Sequence, residues 1–247
     1  VDVWLVDVDD APAARHAALC LPPAERRRLS ARAEPHRRHA LCANAALRIL
    51  AARAAGGVLP LPQLGHDPRG KPVLAGRHPL QLSLSHAAGH AAVALGAAGP
   101  VGVDIEDCAP LPDRERFARG ILADGERRDW QGLPDAARDT AVAAAFTRKE
   151  AVLKALGTGL AGGLRQVATD LRTAPPGGGA VLLRGLPDGA GAAADWTVVD
   201  LAAVPEGLRG AVAVRAPGAA VREHRTTIGE LLRLARPNGP EEEETAP

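Results

Sequence analysis

The chain has 247 residues, with 30 Lys plus Arg against 29 Asp plus Glu and a formal charge of +1. That balance excludes a protein whose main work is to coat nucleic acid or an acidic membrane. Hydrophobic residues at 46% and charged residues at 24% exclude a disordered or collagenous chain. Aromatics are only 2%, with no Tyr and no Met, so the core must come from Ala, Val and Leu. The three cysteines, Cys20, Cys42 and Cys108, form no CxxC pair and no Cys-His spacing suited to zinc, which fits a reducing cytosol. The opening VDVWLVDVDD is not a signal peptide, and no segment offers the roughly 18 uninterrupted apolar residues of a membrane span. A cytoplasmic protein is expected, with no nucleic-acid or membrane partner.

Taken in chain order, the first eight residues alternate and predict a strand. An Ala-rich bridge leads to Pro22-Pro23, which opens a basic helix, AERRRLSARA. A second helix is predicted from about His36 to Ala55, stopped by Gly56-Gly57. LGHDPRGKPVL reads as a loop, and LQLSLS and AAVALG read as paired strands. From Val101 the pattern restarts: a strand VGVDIE, basic turns DRERFARGI and GERRDW, and a long helix from about Asp135 to Leu156 stopped by Gly157. Strand candidates follow near 180–184, 196–201 and 210–214. The expectation is an α+β chain of two similar halves, 1–100 and 101–225, joined at Gly99-Pro100, with a C-terminal segment 226–247. That segment ends in PNGPEEEETAP, whose charge run predicts disorder.

Chemistry concentrates in the second half. Asp104 and Glu106 lie two apart in a strand, so both carboxylates share a face, with Cα atoms about 6.5–7 Å apart, a spacing at which both reach one hard cation. Val101, Val103 and Ile105 would fill the opposite face. On the helix, Glu150 and Lys154 are i and i+4, either a stabilising pair or a carboxylate for metal or proton beside a cation for phosphate. Ser85 and His86 are adjacent in a strand and so point to opposite faces, which argues against a nucleophile pair and leaves a polar rim for a ligand phosphate. Lys71, in RGKP, is not part of a Walker A loop. Arg26, Arg28 and Arg38 belong to a locally basic region set in a neutral chain, which suits an anionic ligand.

Read in order, GKP, LSLSHA, VGVDIE and FTRKEAVLKALGTGL resemble the 4′-phosphopantetheinyl transferase family, in its larger, surfactin-synthetase-activating type. The resemblance covers roughly residues 20 to 160. It implies a pseudo-two-fold α+β monomer that uses Mg2+ and coenzyme A to modify acyl or peptidyl carrier proteins of polyketide and nonribosomal peptide synthesis. It further implies that Asp104, Glu106 and Glu150 hold the metal, that Glu150 is a candidate base, and that Lys154 handles the pyrophosphate. Lys71, Ser85 and His86 would contact coenzyme A, with Arg26, Arg28 and Arg38 as candidates for its 3′-phosphate. Three positions depart from the family pattern: Phe146 where Trp is common, Asn44 where Arg is frequent, and Ala87 where many members have Ser. The basic helix DRERFARG, with Arg114, Arg116 and Arg119 around Phe117, is either a docking face for an acidic carrier or a solvated surface.

Two rivals remain at this level. A metal-dependent nuclease could use the same acids with Lys149, although such sites place acid and lysine two apart on a strand. A non-catalytic module that binds carrier proteins or nucleotides could retain the fold.

Overall fold

The computed structural model describes residues 1–57, 61, 64–75, 78–159, 163–171 and 178–235. Strand β1 (Asp2–Asp7) is followed by helices α1 (Ala11–Leu19), α2 (Pro23–Ser30) and α3 (His36–Ala54). A small hairpin, β2 (Leu64–His66) and β3 (Pro72–Leu74), precedes a longer one, β4 (Gln81–Ala87) and β5 (His90–Gly96). Strand β6 (Val101–Asp107) starts a second series with α4 (Arg114–Ile121), α5 (Asp124–Gln131) and α6 (Asp135–Leu156). Short strands β7 (Ala168–Thr169), β8 (Gly179–Ala180) and β9 (Leu183–Gly185) lead to β10 (Thr197–Asp200) and β11 (Leu208–Val214). Strand β12 (Arg222–Thr227) and helix α7 (Ile228–Leu234) follow. The fold is mixed α+β, as the sequence predicts.

Four local expectations need correction. The Ala-rich bridge is helix α1: Asp10 caps it through Oδ1, which accepts from Ala13 N at 2.8 Å, and Pro12 sits in its first turn where no N–H is missed. The expected loop at 64–74 contains the hairpin β2–β3, whose three-residue arms are too short to show alternation. The strand expected near 180–184 divides into β8 and β9, which pair with different neighbours. Strand β12 and helix α7 were not foreseen at all. The acidic tail lies outside the described residues.

Two four-stranded sheets dominate, ordered β12-β1-β5-β4 and β6-β11-β10-β8. Within each, the opening strand pairs antiparallel with the second arm of a hairpin, which pairs with the first arm: β1-β5-β4 matches β6-β11-β10. Helix α3 buries Ala43, Leu47 and Leu50 with Val6, Leu82, Val93 and Leu95 of the first sheet. Helix α6 does the same with Ala151, Val152 and Ala155 against Val198, Ala211 and Ala213. The other faces share a cluster of Val3, Leu5, Ala92 and Ala94 with Val101, Val103, Ile105, Val212 and Val214. The edge strands β4 and β6 are joined by serine side chains rather than by a ladder: Ser83 Oγ accepts from Val103 N at 3.0 Å. Strand β12, which straddles residue 225, runs parallel to β1 at the far edge of the first sheet. No helix among the described residues is long and apolar enough to cross a membrane.

Candidate active site

Strand β6 alternates as its sequence requires. Val101, Val103 and Ile105 enter the cluster between the sheets, and Gly102, Asp104 and Glu106 face the other way. Gly102 decides how near α6 can come. A Cβ on Gly102 would lie 2.0 Å from Ala151 O and 2.5 Å from Ala155 N, so the strand and helix backbones are in direct contact. One turn of α6 places Glu150 and Lys154 beside that contact, and Asp104 meets them. Lys154 Nζ donates to Asp104 Oδ1 at 2.6 Å, and Ser85 Oγ of β4 donates to the same oxygen at 2.8 Å.

The three acids crowd one another. Burial raises the pKa of Asp104 despite the Lys154 ammonium, and burial followed by the charge of Asp104 raises that of Glu150. Burial and then Asp104 push Glu106 up to about 7. Asp104 Oδ2 and Glu150 Oε1 are buried with no hydrogen-bond partner. Orphaned carboxylate oxygens of this kind are costly, and a hard cation is the ligand that oxygen donors suit. Among the described residues, no three His, Cys, Asp or Glu side chains already converge as a finished metal site. The cation that Asp104 holds is Lys154.

Residues 100–201 match the model of the 4′-phosphopantetheinyl transferase superfamily. The matched segment contains Asp104, Glu106, Glu150 and Lys154 and the whole contact between β6 and α6. A protein of Synechocystis sp. that bears the name of a 4′-phosphopantetheinyl transferase is 33% identical over 127 residues, 51% of this chain and 52% of its own. The 4′-phosphopantetheinyl transferase AcpT of Salmonella typhi is 32% identical over 110 residues, 44% of this chain and 56% of its own. The chain thus spans about half the length of these relatives. The crystal structure of Thermotoga maritima holo-[acyl-carrier-protein] synthase covers 49% of this chain and 64% of its own at 27% identity, with a TM-score of 0.36.

The remaining sequence candidates divide. Lys71 points at the contact between β6 and α6, where Nζ donates to Val101 O and Ala155 O, both at 3.0 Å. The loop that carries it is shaped by Asp67 Oδ1, which accepts from the N–H groups of Arg69 and Lys71. Its ammonium therefore ties β6 to the last turn of α6, where a cation also suits the helix dipole. Two of its three donors are spent there. Arg69, Lys71, Ser83, Lys154 and Gly157 border a cavity of about 160 Å³ beside Lys154.

Ser85 and His86 separate to opposite faces, as their adjacency predicts, and only Ser85 joins the acids. Burial, then the positive charges of Arg32, His39, Lys154 and His36, hold His86 down to about 4. Arg32, His36 and His39 are not among the sequence candidates, although their concentration just before α3 and in its first turn is visible in the sequence. Arg38 is engaged instead: Nε and Nη2 donate to Asp9 Oδ1 at 2.8 and 2.6 Å, and Nη1 to Glu34 Oε2 at 3.4 Å. Arg26 is half-buried and Arg28 exposed on α2. On α4, Arg114 pairs with Asp135 and Phe117 packs on Phe146, ring centroids 5.3 Å apart.

Proposed function

We propose that this chain transfers the 4′-phosphopantetheine arm of coenzyme A to a serine hydroxyl of an apo acyl or peptidyl carrier protein, releasing 3′,5′-ADP. The observation that carries the reading is the meeting of Asp104, Glu106, Glu150 and Lys154 between β6 and α6, within the segment that matches the superfamily. Asp104, Glu106 and Glu150 are the residues for Mg2+, a choice supported by the two orphaned oxygens and the all-oxygen donor set. When bound, the ion withdraws charge from the pyrophosphate.

The chain's own groups supply the rest. Lys154 is the cation for the oxygen that gains charge as the phosphoester breaks. Glu150, with its pKa raised by burial, accepts a proton more readily than an exposed glutamate and is the candidate base for the carrier serine. Ser85 fixes Asp104 by donating to the same carboxylate oxygen as Lys154. The cavity edged by Arg69, Lys71 and Lys154 is the place for coenzyme A phosphates. For the 3′-phosphate, the exposed Arg32 and His36 beside His86 serve better than Arg38 and His39, both of which are held by Asp9.

The matching strand order of the two sheets supports two related halves about a pseudo-two-fold axis, in the surfactin-synthetase-activating manner. In that reading the protein is a cytoplasmic monomer divided near residue 100. A nuclease is disfavoured because Lys149 is fully buried against Glu126 and cannot reach a substrate.

The test incubates a panel of apo acyl and peptidyl carriers with coenzyme A and Mg2+ and reads the carriers by mass spectrometry. The expected result is gain of the phosphopantetheine arm with the wild type and its loss with Asp104→Asn. No gain on any carrier, or full activity of Asp104→Asn, would sink the proposal.

A further inference from the structure

Around residue 150, helix α6 is enclosed on every side. Thr147, Arg148, Lys149 and Glu150 are four consecutive buried residues, and two of them are basic. Arg148, 1% exposed, donates from Nε to Asp200 Oδ1 at 2.8 Å and from Nη2 to Asp200 Oδ2 at 2.5 Å. Its Nη1 donates to Asp170 O at 2.6 Å and lies 3.9 Å from Asp170 Oδ1, a second and looser ion pair. Asp200 ends β10, in the sheet on which α6 lies, and is itself buried. On the next residue, Lys149 Nζ donates to Glu126 Oε2 at 2.6 Å and to the carbonyls of Leu164 and Val167. Glu126 Oε1 in turn accepts from Thr169 N at 2.7 Å.

Successive helical residues point about 100° apart. Arg148 and Lys149 therefore anchor α6 in two directions, and Glu150 is aimed in the third, at Asp104. Burying three ion pairs is a poor way to gain stability, because apolar residues of similar volume do as well or better. A bidentate fork instead fixes an angle, since both donors must meet both oxygens at once. The angle matters because a carboxylate carried about 6 Å from the helix axis travels about 1 Å for every 10° of helix rotation.

We propose that Arg148 is a positioning residue: its fork on Asp200 sets the rotation of α6 and so the placement of Glu150 against Asp104, a role that for its kinetic part rests on the transferase reading. Arg148→Lys keeps the charge and loses the fork, and Asp200→Asn keeps the shape and loses the charge, so one remains informative if the other fails to fold. Mn2+ binding to each folded variant is measured by electron paramagnetic resonance, alongside kcat and KM. The expected result is a weaker Mn2+ affinity by about tenfold and a fall in kcat of about 10- to 100-fold, with KM for coenzyme A changed less than about threefold.

The double variant Arg148→Met with Asp200→Leu separates positioning from stability. Its melting temperature should exceed that of Arg148→Met alone, while Mn2+ affinity and kcat stay low. Recovery of Mn2+ affinity and kcat as well would make the pair merely structural and overturn the proposal. So would wild-type Mn2+ affinity and kcat in both single variants, or a wild-type protein that binds no Mn2+. If the variants weaken Mn2+ binding but the wild type modifies no carrier, the transferase reading falls and the positioning role stands.

Discussion

Replacing Gly102 by alanine tests whether backbone contact between β6 and α6 builds the site. The added Cβ would stand 2.0 Å from Ala151 O, 2.5 Å from Ala155 N and 3.0 Å from Ala151 C, all of them backbone atoms that no rotamer change can move. A carbon and a carbonyl oxygen approach to about 3.4 Å at closest comfort, so helix and strand must separate by roughly 1.4 Å. Overpacking on this scale costs about 1–3 kcal/mol. For a chain of this size that lowers the melting temperature by about 2–12 °C. The separation also draws Glu150 and Lys154 away from Asp104, and a 1 Å displacement at a reacting centre costs about 100-fold in rate. Calorimetry and a carrier-modification assay read the two effects. Gly120 on α4 is the control, because a Cβ there meets nothing within 4 Å and alanine favours a helix. A Gly102→Ala protein with wild-type rate and melting temperature would refute the reasoning.

Other outcomes follow from the charges. Without divalent cation, the raised pKa of Glu106, about 7, favours the folded state below about pH 4.5, and that advantage is lost as pH rises through 7. Discounted for its partial exposure, the loss is about 1 kcal/mol, or about 2–4 °C in a melt of wild type compared with Glu106→Gln. An unchanging difference between pH 5 and 8 would contradict it. His86 has the opposite sign: depressed to about 4, it contributes stability above about pH 6.5 that disappears as pH falls to 4. His86→Asn should therefore lack the wild type's acid-side fall in melting temperature. Lys149→Met strands Glu126 in the interior and should cost about 3–5 kcal/mol by denaturant titration, part of it restored by adding Glu126→Gln, which removes the charge and keeps an acceptor for Thr169 N.

The site was legible where two periodicities met. The alternation of VGVDIE sorted Asp104 and Glu106 from Val101, Val103 and Ile105, and helical spacing put Glu150 and Lys154 together. Long-range partners left no such mark. The Ser85 bond to Asp104 depends on β4 lying beside β6, and Lys149 finds Glu126 from 23 residues away. Arg38 looked like an anion ligand because nothing near it in sequence reveals Asp9, 29 residues earlier, as its partner. The same contrast holds for the elements. Helix α6 ends at Gly157, whose φ of 66° suits glycine, and this stop was readable. Strand β12, REHRTT, has no apolar alternation because it is an edge strand held by its ladder to β1. Helix α1 carried its signal in Asp10 and Pro12, hidden by the monotony of alanine around them.

That ladder also governs how the molecule can be cut and how it is made. The Val1 amine donates to Ala220 O at 2.8 Å, and Arg222 N donates to Val1 O at 2.9 Å, so the first residue is stitched to the segment just before β12. A fragment ending near residue 100 would leave β1 as a bare edge open to pairing with other chains. On the ribosome the first sheet cannot be completed until residue 227 has emerged, so the sheet begun first is finished last.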